Sequence, residues 1–362
     1  MNSKLRVGLI GYGKAAHMHA QALLNIPECI LVGVQGRSLE KASAFGKVYS
    51  IVGFDDPGLM IRSLRLDVIV ICTPHPYHRE SAEVAFSHGV HVLIEKPIAA
   101  SLEDADAIIA AAKSAGRKLG VVSQRRFLPP SLRVRDAIDS GKIGTPVLGT
   151  VFMLGWRDQS YYQSDPWRGK WATEGGGVLI NQAPHQLDML QWYMNSEIEE
   201  VYGVWRNFNH PYIEVEDSAV AIIRFKSGGV GNLVLSNSQK PGLYGKVHVH
   251  GSNGASVGVE TDSGSMFIVG QTSIKVPPRN DIWTVPGEEN LLSVWEEEDR
   301  KHFVTIDPVE YYMRLQDRDF IFAVAEGREP LITGEEGRKT VEIFTAIYRS
   351  QESGLPVKFP IT

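Results

Sequence analysis

The segment Gly8-Leu9-Ile10-Gly11-Tyr12-Gly13-Lys14-Ala15-Ala16 carries the spacing G-x-G-x-x-A directly after an apolar run. Each residue type has a physical task there. Gly11 allows a tight turn, Gly13 lets the backbone approach a large anion, and Ala16 lets the following helix pack closely. The N–H groups of Lys14, Ala15 and Ala16 would face that anion from a helix start. This is the chemistry of pyrophosphate binding, so a dinucleotide is the expected cofactor. An acidic residue after the second strand commonly holds the ribose 2′-OH of NAD. Here the strand ends Val34-Gln35-Gly36-Arg37-Ser38, and Gly36 takes the acidic position. Arg37 and Ser38 would contact a 2′-phosphate, or Arg37 would stack on adenine as a solvated turn residue. The choice between NAD and NADP stays open at this point.

Two further clusters follow apolar runs. Thr73, Pro74, His75 and His78 come after Asp67–Cys72, and Glu95-Lys96-Pro97 come after Val90–Ile94. Open α/β sheets bind ligands beyond the carboxyl ends of their strands, so these residues, with Gln124 after the run 119–123, are cofactor-facing candidates. Later, Gly175-Gly176-Gly177 precedes Asn181, His185 and Asp188. Their spacing of i, i+4 and i+7 predicts one face of a helix over 177–194. Between 156 and 171 stand Trp156, Arg157, Tyr161, Tyr162, Trp167, Arg168 and Trp171. Aromatic rings stack on the apolar faces of sugars, and polar tips hold hydroxyls. Arg125, Arg126 and Phe127 are candidates for lining the same cleft.

In this order, the strand-end Thr73-Pro74-His75 with His78, then Glu95-Lys96-Pro97, Trp167-Arg168, the triple glycine, Asn181, His185 and Asp188 resemble the glucose–fructose oxidoreductase / inositol dehydrogenase / MocA family over most of the chain. The resemblance implies an N-terminal Rossmann domain and a C-terminal α/β domain whose open sheet builds a homodimer or homotetramer. It implies a cis peptide before Pro97, with Lys96 and His185 flanking the substrate by the nicotinamide. The expected activity is NAD- or NADP-dependent hydride transfer at a hydroxyl or keto carbon of a sugar, polyol or glycoside.

Hydride loss from an alcohol carbon needs a group to take the hydroxyl proton. His185 suits this, because an ordinary imidazole pKa of ~6.5 lies near working pH. Lys96 would donate a hydrogen bond to the developing alkoxide, and burial beside an oxidised nicotinamide would lower its pKa enough to share the proton. Many members of the family carry Asp where Asn181 stands. An amide is no base, yet it can hold a substrate hydroxyl. Asp188 either orients His185 or is a structural partner. Two other functions compete: a glycoside-cleaving enzyme that oxidises its sugar transiently with tightly held NAD, and a non-catalytic dinucleotide sensor. The Lys96/His185 pair argues against the sensor, which has no need of it.

Histidines also raise a metal reading. His17 and His19 lie in the first helix region, and His248 and His250 share a strand face. Neither pair has a carboxylate or cysteine set at ligand spacing, so no metal is expected. Arg224 and Lys246 read as solvated sheet positions.

The elements that must position these residues follow from pattern. The runs 5–10, 30–34, 67–72, 90–94 and 119–123 are apolar on both faces and alternate with helical segments such as 15–25 and 80–88. That alternation predicts a parallel sheet covered on both sides, with right-handed crossovers and a doubly wound order. A capping box at Ser101–Asp104 opens one helix, and Thr333 with Glu336 forms another. Segments 201–205, 219–225, 231–235 and 246–250 instead alternate apolar and polar residues, which predicts a large open, mainly antiparallel sheet. The expected fold class is therefore α/β. Residues 1–123 form an NAD(P)-binding Rossmann domain, and 124–362 a substrate-binding and oligomerisation domain. Closing helices at about 308–326 and 334–351 are free to pack back toward the first domain.

A chain of 362 residues suits two domains. Its formal net charge of −5 argues against a nucleic-acid partner. Cys29 and Cys72 do not make a disulfide scaffold. No signal peptide or membrane-spanning run is evident, so a cytoplasmic protein with a small carbohydrate substrate is expected.

Overall fold

The computed structural model describes residues 4–261 and 274–361. In chain order it contains β1 (Leu5–Ile10), α1 (Lys14–Leu24), β2 (Cys29–Gln35), α2 (Leu39–Tyr49), β3 (Val52–Phe54), α3 (Pro57–Leu64), β4 (Val68–Ile71), α4 (His78–Ser87), β5 (His91–Ile94), α5 (Leu102–Ala115) and β6 (Leu119–Val121). Next come α6 (Pro129–Asp139), β7 (Pro146–Leu154), α7 (Gln159–Gln163), α8 (Trp171–Glu174), α9 (Val178–Asn181), α10 (Pro184–Met194), β8 (Ile198–Arg206), β9 (Ser218–Phe225), β10 (Val230–Ser236), β11 (Tyr244–Gly251) and β12 (Ser256–Glu260). The last are α11 (Leu291–Phe303), α12 (Pro308–Glu326), α13 (Gly334–Ser353) and β13 (Val357–Lys358).

Residues up to Gln124, together with Pro308–Arg338, form one compact unit; Arg125–Asp307 and the residues from Lys339 on form the other. The first unit holds a six-stranded parallel sheet in the order β3-β2-β1-β4-β5-β6. Its central strands are buried on both faces, as a sheet with helices on each side requires. The order reverses between β1 and β4, and ligands bind at such a switch point. Gly11 sits there with φ +106°, and a Cβ on it would lie 2.8 Å from the Cys72 carbonyl oxygen, so only glycine fits. Ser101 caps α5 by accepting from the Asp104 amide at 3.1 Å. α12 packs on α1 in this unit.

The second unit is built on a seven-stranded sheet in the order β12-β11-β7-β10-β9-β8-β13. Every neighbouring pair is antiparallel except β7 with β10. One face is apolar and covered: Val151, Met153, Leu233 and Val247 lie buried near Leu187, Leu190 and Met194 of α10. Gly149 permits this approach, since a Cβ on it would stand 2.5 Å from the Leu190 side chain. The opposite face leaves Tyr202, Val204, Val220 and Ile222 exposed.

Four differences from the sequence expectations have physical reasons. β3 has only three residues, too short for a periodic signal, and β7 begins with Pro146 and contains Gly149, which blur its alternation. α11 buries no residue fully; Leu291, Leu292 and Trp295 are half-buried in its first turns, and the charged run 296–301 masks the pattern. The helix expected over 177–194 is two helices, α9 and α10, broken at Gln182–Ala183. Pro184 occupies the first turn of α10, where its missing N–H costs nothing. Asn181 and His185 therefore do not share one continuous helix face.

Both thiols are buried; burial pushes Cys29 up to about 12 and Cys72 well above the ordinary thiol range. No helix among the described residues is long and apolar enough to cross a membrane.

Candidate active site

The first unit carries a cradle for a dinucleotide. Gly13 caps α1 with no side chain, and a Cβ built on it meets nothing within 4 Å. The amides of Lys14, Ala15 and Ala16 begin α1 just beyond this gap, and Ala16 itself is buried in the core. Two side-chain oxygens at the sheet's carboxyl end are buried and have no protein partner, Thr73 Oγ1 and Gln124 Oε1. A buried acceptor left unsatisfied costs ~1–3 kcal/mol, so such atoms point to a missing ligand. The residues present thus fit a dinucleotide.

Gly36 follows β2, and a Cβ there would lie 2.1 Å from the Tyr12 ring. The acidic position is therefore closed by Tyr12. Arg37 is exposed, its guanidinium 5.6 Å from the Tyr77 ring centroid. The Ser38 hydroxyl caps α2 by accepting from Lys41 N at 3.3 Å. Pro74 opens a short 3₁₀ turn over His75–Tyr77.

Two expected cofactor ligands are structural instead. His78 is fully buried; its Nδ1 lies 3.0 Å from the Pro97 carbonyl and its Nε2 2.8 Å from the Thr73 carbonyl. Its ring clamps two strand-end loops together and has no face left for a cofactor. Burial lowers its pKa, with the carbonyls opposing. His75 is also buried, its ring edge-on to His78 at 5.9 Å. Glu95 is the second correction. Its Oε1 lies 3.2 Å from His19 Nε2, and its Oε2 accepts from the Lys96 amide at 3.0 Å. It fixes the Lys96 backbone rather than touching a cofactor. The Lys96–Pro97 peptide is cis, and the Lys96 residue is half-buried at the end of β5.

In the second unit the aromatic segment gathers on the Tyr161 phenol. Its oxygen accepts from Arg168 Nη1 at 2.5 Å, Gln182 Nε2 at 2.8 Å and Asn181 Nδ2 at 3.3 Å. Burial raises the phenol's pKa, so it stays neutral. The Arg168 guanidinium lies 4.3 Å from both the Tyr161 and Trp167 rings. Arg157 is buried, 5.2 Å from the Tyr161 ring. Trp156 is half-buried and packs 5.2 Å from the His210 ring. Trp171 turns elsewhere: it contacts Trp205 and Tyr348 and donates to the Glu214 carbonyl at 3.1 Å.

Three residues escaped the sequence reading. Glu174, buried just before the triple glycine, accepts from the Asn181 amide and from Gly169 N. The carboxylate absent at Asn181 thus stands one contact behind it. His210 is buried between Asp217, at 2.7 Å, and the Arg157 carbonyl, at 2.6 Å. Burial disfavours the Asp217 charge, but donors from His210, Asn209 and Phe208 hold its pKa below the ordinary value. Glu216 accepts from Gly177 N and Leu179 N, each at 2.9 Å, and from the Tyr348 hydroxyl at 3.0 Å. Burial pushes it up to about 7 against those donors. A Cβ on Gly177 would fall 1.8 Å from the Glu216 carbonyl oxygen, which explains a glycine there. The glycine before a helix was the available signal for Glu174; nothing local marks the other two.

His185 stands in the first turn of α10, 9% exposed. Both oxygens of Asp188 accept from Arg126, at 2.8 and 2.6 Å, and that guanidinium lies 5.0 Å from the Trp192 ring. Arg126 is 2% exposed, so it supports α10 from beneath rather than reaching a substrate. Breaking one side of a buried pair leaves an uncompensated charge. Arg126→Leu is expected to lower the unfolding free energy by about 3–5 kcal/mol, and Arg126→Leu/Asp188→Leu to recover much of it. Urea unfolding of both variants checks this.

The remaining candidates have local partners. Arg125 donates to Thr261 Oγ1 at 3.0 Å. His17 bonds Tyr49, His248 bonds Asp281, and His250 bonds Ser256. Lys246 is no solvated position: it pairs with Asp281 at 2.8 Å and Glu260 at 3.2 Å.

With this geometry in hand, comparison with known proteins gives a class. Residues 5–123 match an oxidoreductase family with an NAD-binding Rossmann fold, and residues 131–257 match the Gfo/Idh/MocA C-terminal domain. The chain belongs to this NAD-binding oxidoreductase family. It is 26% identical to a scyllo-inositol 2-dehydrogenase (NAD(+)) of Bacillus subtilis, over all of this chain and 98% of that one. A myo-inositol 2-dehydrogenase of Thermotoga maritima is 28% identical, over 69% of this chain and 74% of the relative. Among solved structures, the WlbA dehydrogenase of Bordetella pertussis, in complex with NADH and UDP-GlcNAcA, superposes with a TM-score of 0.88 at 27% identity, covering all of this chain and 99% of that one.

Proposed function

We propose that the chain is an NAD(P)-dependent dehydrogenase of CH–OH groups on a sugar, polyol or nucleotide-linked sugar. The observation that carries this is the glycine cradle at the β1/β4 switch point with two partnerless buried oxygens, Thr73 Oγ1 and Gln124 Oε1, at the same sheet edge. Gly11, Gly13, the α1 amides, Arg37 and Ser38 are the residues that would hold the dinucleotide, whose nicotinamide supplies the hydride acceptor or donor. His185 takes the substrate hydroxyl proton, Lys96 donates to the oxygen left behind, and the amide of Asn181 orients a hydroxyl. Trp167 and Arg168, ordered through Tyr161, form the sugar-facing wall with Trp156, and Arg157 lies buried behind it against the Tyr161 ring. The inositol dehydrogenases and the UDP-sugar complex among its relatives support a hydroxyl-rich substrate. Nicotinamide absorbance with NAD or NADP and a panel of inositols, free sugars, glycosides and UDP-sugars tests this. Reduction with one panel member supports it. No reduction, with nicotinamide released when the protein is denatured, favours the glycoside-cleaving alternative.

Arg37 makes the site tolerant of a 2′-phosphate, since Tyr12 leaves no room for a carboxylate at Gly36. A charge-assisted hydrogen bond contributes about 1.5–3 kcal/mol. Arg37→Ala is therefore expected to lower kcat/KM with NADP by about 10–100-fold, and to change it with NAD by less than about threefold. Equal losses with both cofactors would contradict this role.

The open sheet face supports a homodimer or homotetramer in a cytoplasmic enzyme. Tyr202 pairs across the strands with Ile222, and Val204 with Val220, and all four are exposed. A contiguous apolar patch of this kind on a sheet marks an association surface. Val220→Glu is expected to give monomers in sedimentation, with near-UV circular dichroism unchanged.

A further inference from the structure

Three elements of the first unit meet at one buried imidazole. His19 of α1 is 0% exposed, with Nδ1 2.9 Å from both oxygens of Asp317 on α12 and Nε2 3.2 Å from Glu95 at the end of β5. Ionised carboxylate oxygens only accept and carry charge, so a ring set between two of them is favoured as an imidazolium that donates from both nitrogens. Burial opposes that charge, but Asp317 and Glu95 together outweigh it and raise the pKa to about 10. Burial also disfavours the Glu95 charge, yet His19 and the Lys96 amide hold that carboxyl below its ordinary value. Burial pushes Asp317 up. Cys72, Cys29, His78 and Lys96 also feel these carboxylates; burial keeps both thiols protonated and lowers the His78 pKa. The second oxygen of Glu95 accepts from the backbone of Lys96. One chain of bonds therefore runs from α12, through the helix whose N-terminus faces the dinucleotide cradle, to the peptide that carries Lys96.

We propose that His19 is a positioning residue: a buried cation that locks the Glu95 carboxylate onto the Lys96 amide and so ties the placement of Lys96 to α1. The proposal rests on the reading that Lys96 works on substrate. A histidine suits the task because a planar ring donates in two opposite directions. A glutamine can donate to one carboxylate only, and turns its own oxygen toward the other.

The first test needs no substrate. In the full chain with ¹⁵N-labelled histidine, the His19 ring is expected to show two protonated nitrogens with no titration between about pH 6 and 9. A neutral ring at pH 7 overturns the proposal whatever the enzyme acts on. Because the folded pKa lies above the unfolded one, the contribution to stability is complete below about pH 6.5 and is lost as pH rises toward the folded value. The thermal midpoint should fall across that window, and should do so much less in Asp317→Asn.

The second test uses turnover with an active panel substrate. His19→Gln is expected to lower kcat at least about tenfold with the cofactor KM changed less than about threefold. A merely structural residue would lower the thermal midpoint and leave kcat alone, which would overturn the proposal. Should His19→Gln not fold, Asp317→Asn carries the test. Loss of one partner lets the imidazole titrate, and a new ionisation should enter the pH dependence of kcat above pH 6.5. Its absence counts against the proposal. Silence of the wild-type chain with every substrate refutes the dehydrogenase, while the ¹⁵N result still decides the state of His19.

Discussion

Replacing Lys96 with methionine is expected to lower kcat/KM for hydride transfer by about 10³-fold, while the cofactor still binds within about threefold of its native affinity. Methionine keeps the unbranched stem and removes only the ammonium. Losing one preorganised donor to a developing oxyanion typically raises the barrier by about 3–4 kcal/mol, which is about 10²–10³ in rate. A share in proton transfer deepens the loss. The backbone of Lys96 should stay in place, because its amide is held by Glu95 and that contact does not involve the side chain. Cofactor fluorescence titration beside steady-state kinetics separates the two effects. A variant that keeps more than about a tenth of the native kcat/KM would show that Lys96 is not at the reacting oxygen.

His185→Ala is the second large effect. A positioned general base contributes about 10²–10⁴ in rate, and that loss should fall on kcat. The limb of the pH–rate profile that the imidazole sets should disappear with it. α10 itself should survive, since its apolar side is buried and Asp188 is held by Arg126 independently. Added imidazole is expected to restore part of the rate. A variant that loses only affinity for substrate, with kcat and the pH profile intact, would make His185 a binding residue.

What could be seen in the sequence was what lies close along the chain. The turn at Gly11 and Gly13 and the Glu95-Lys96-Pro97 strand end are each set by a few consecutive residues, and five of the six parallel strands are legible as buried runs alternating with helices. The helix caps at Ser101 and Thr333 are likewise local: each hydroxyl accepts from the amide three residues on. Arg126 is misread because its partner is 62 positions away, and the two carboxylates around His19 are not visible because Asp317 is 298 positions away and Glu95 is 76. No spacing rule links such residues; only the tertiary fold brings them together. The break between α9 and α10 was legible but overlooked. A proline inside a helix costs about 3 kcal/mol, so Pro184 should have divided the 177–194 pattern. Glu174 and Glu216 were missed for a related reason: each is a carboxylate among glycines and backbone amides, and composition alone does not distinguish a buried acceptor from a solvated one.

The most direct test of hydride transfer uses panel substrates carrying deuterium on each hydroxyl-bearing carbon, incubated with the protein and its nicotinamide cofactor. Mass spectrometry of the reduced nicotinamide formed should find deuterium on the ring with at least one substrate. Formation of no deuterated reduced nicotinamide after prolonged incubation with the whole panel would contradict net oxidation of a sugar or polyol carbon by this chain.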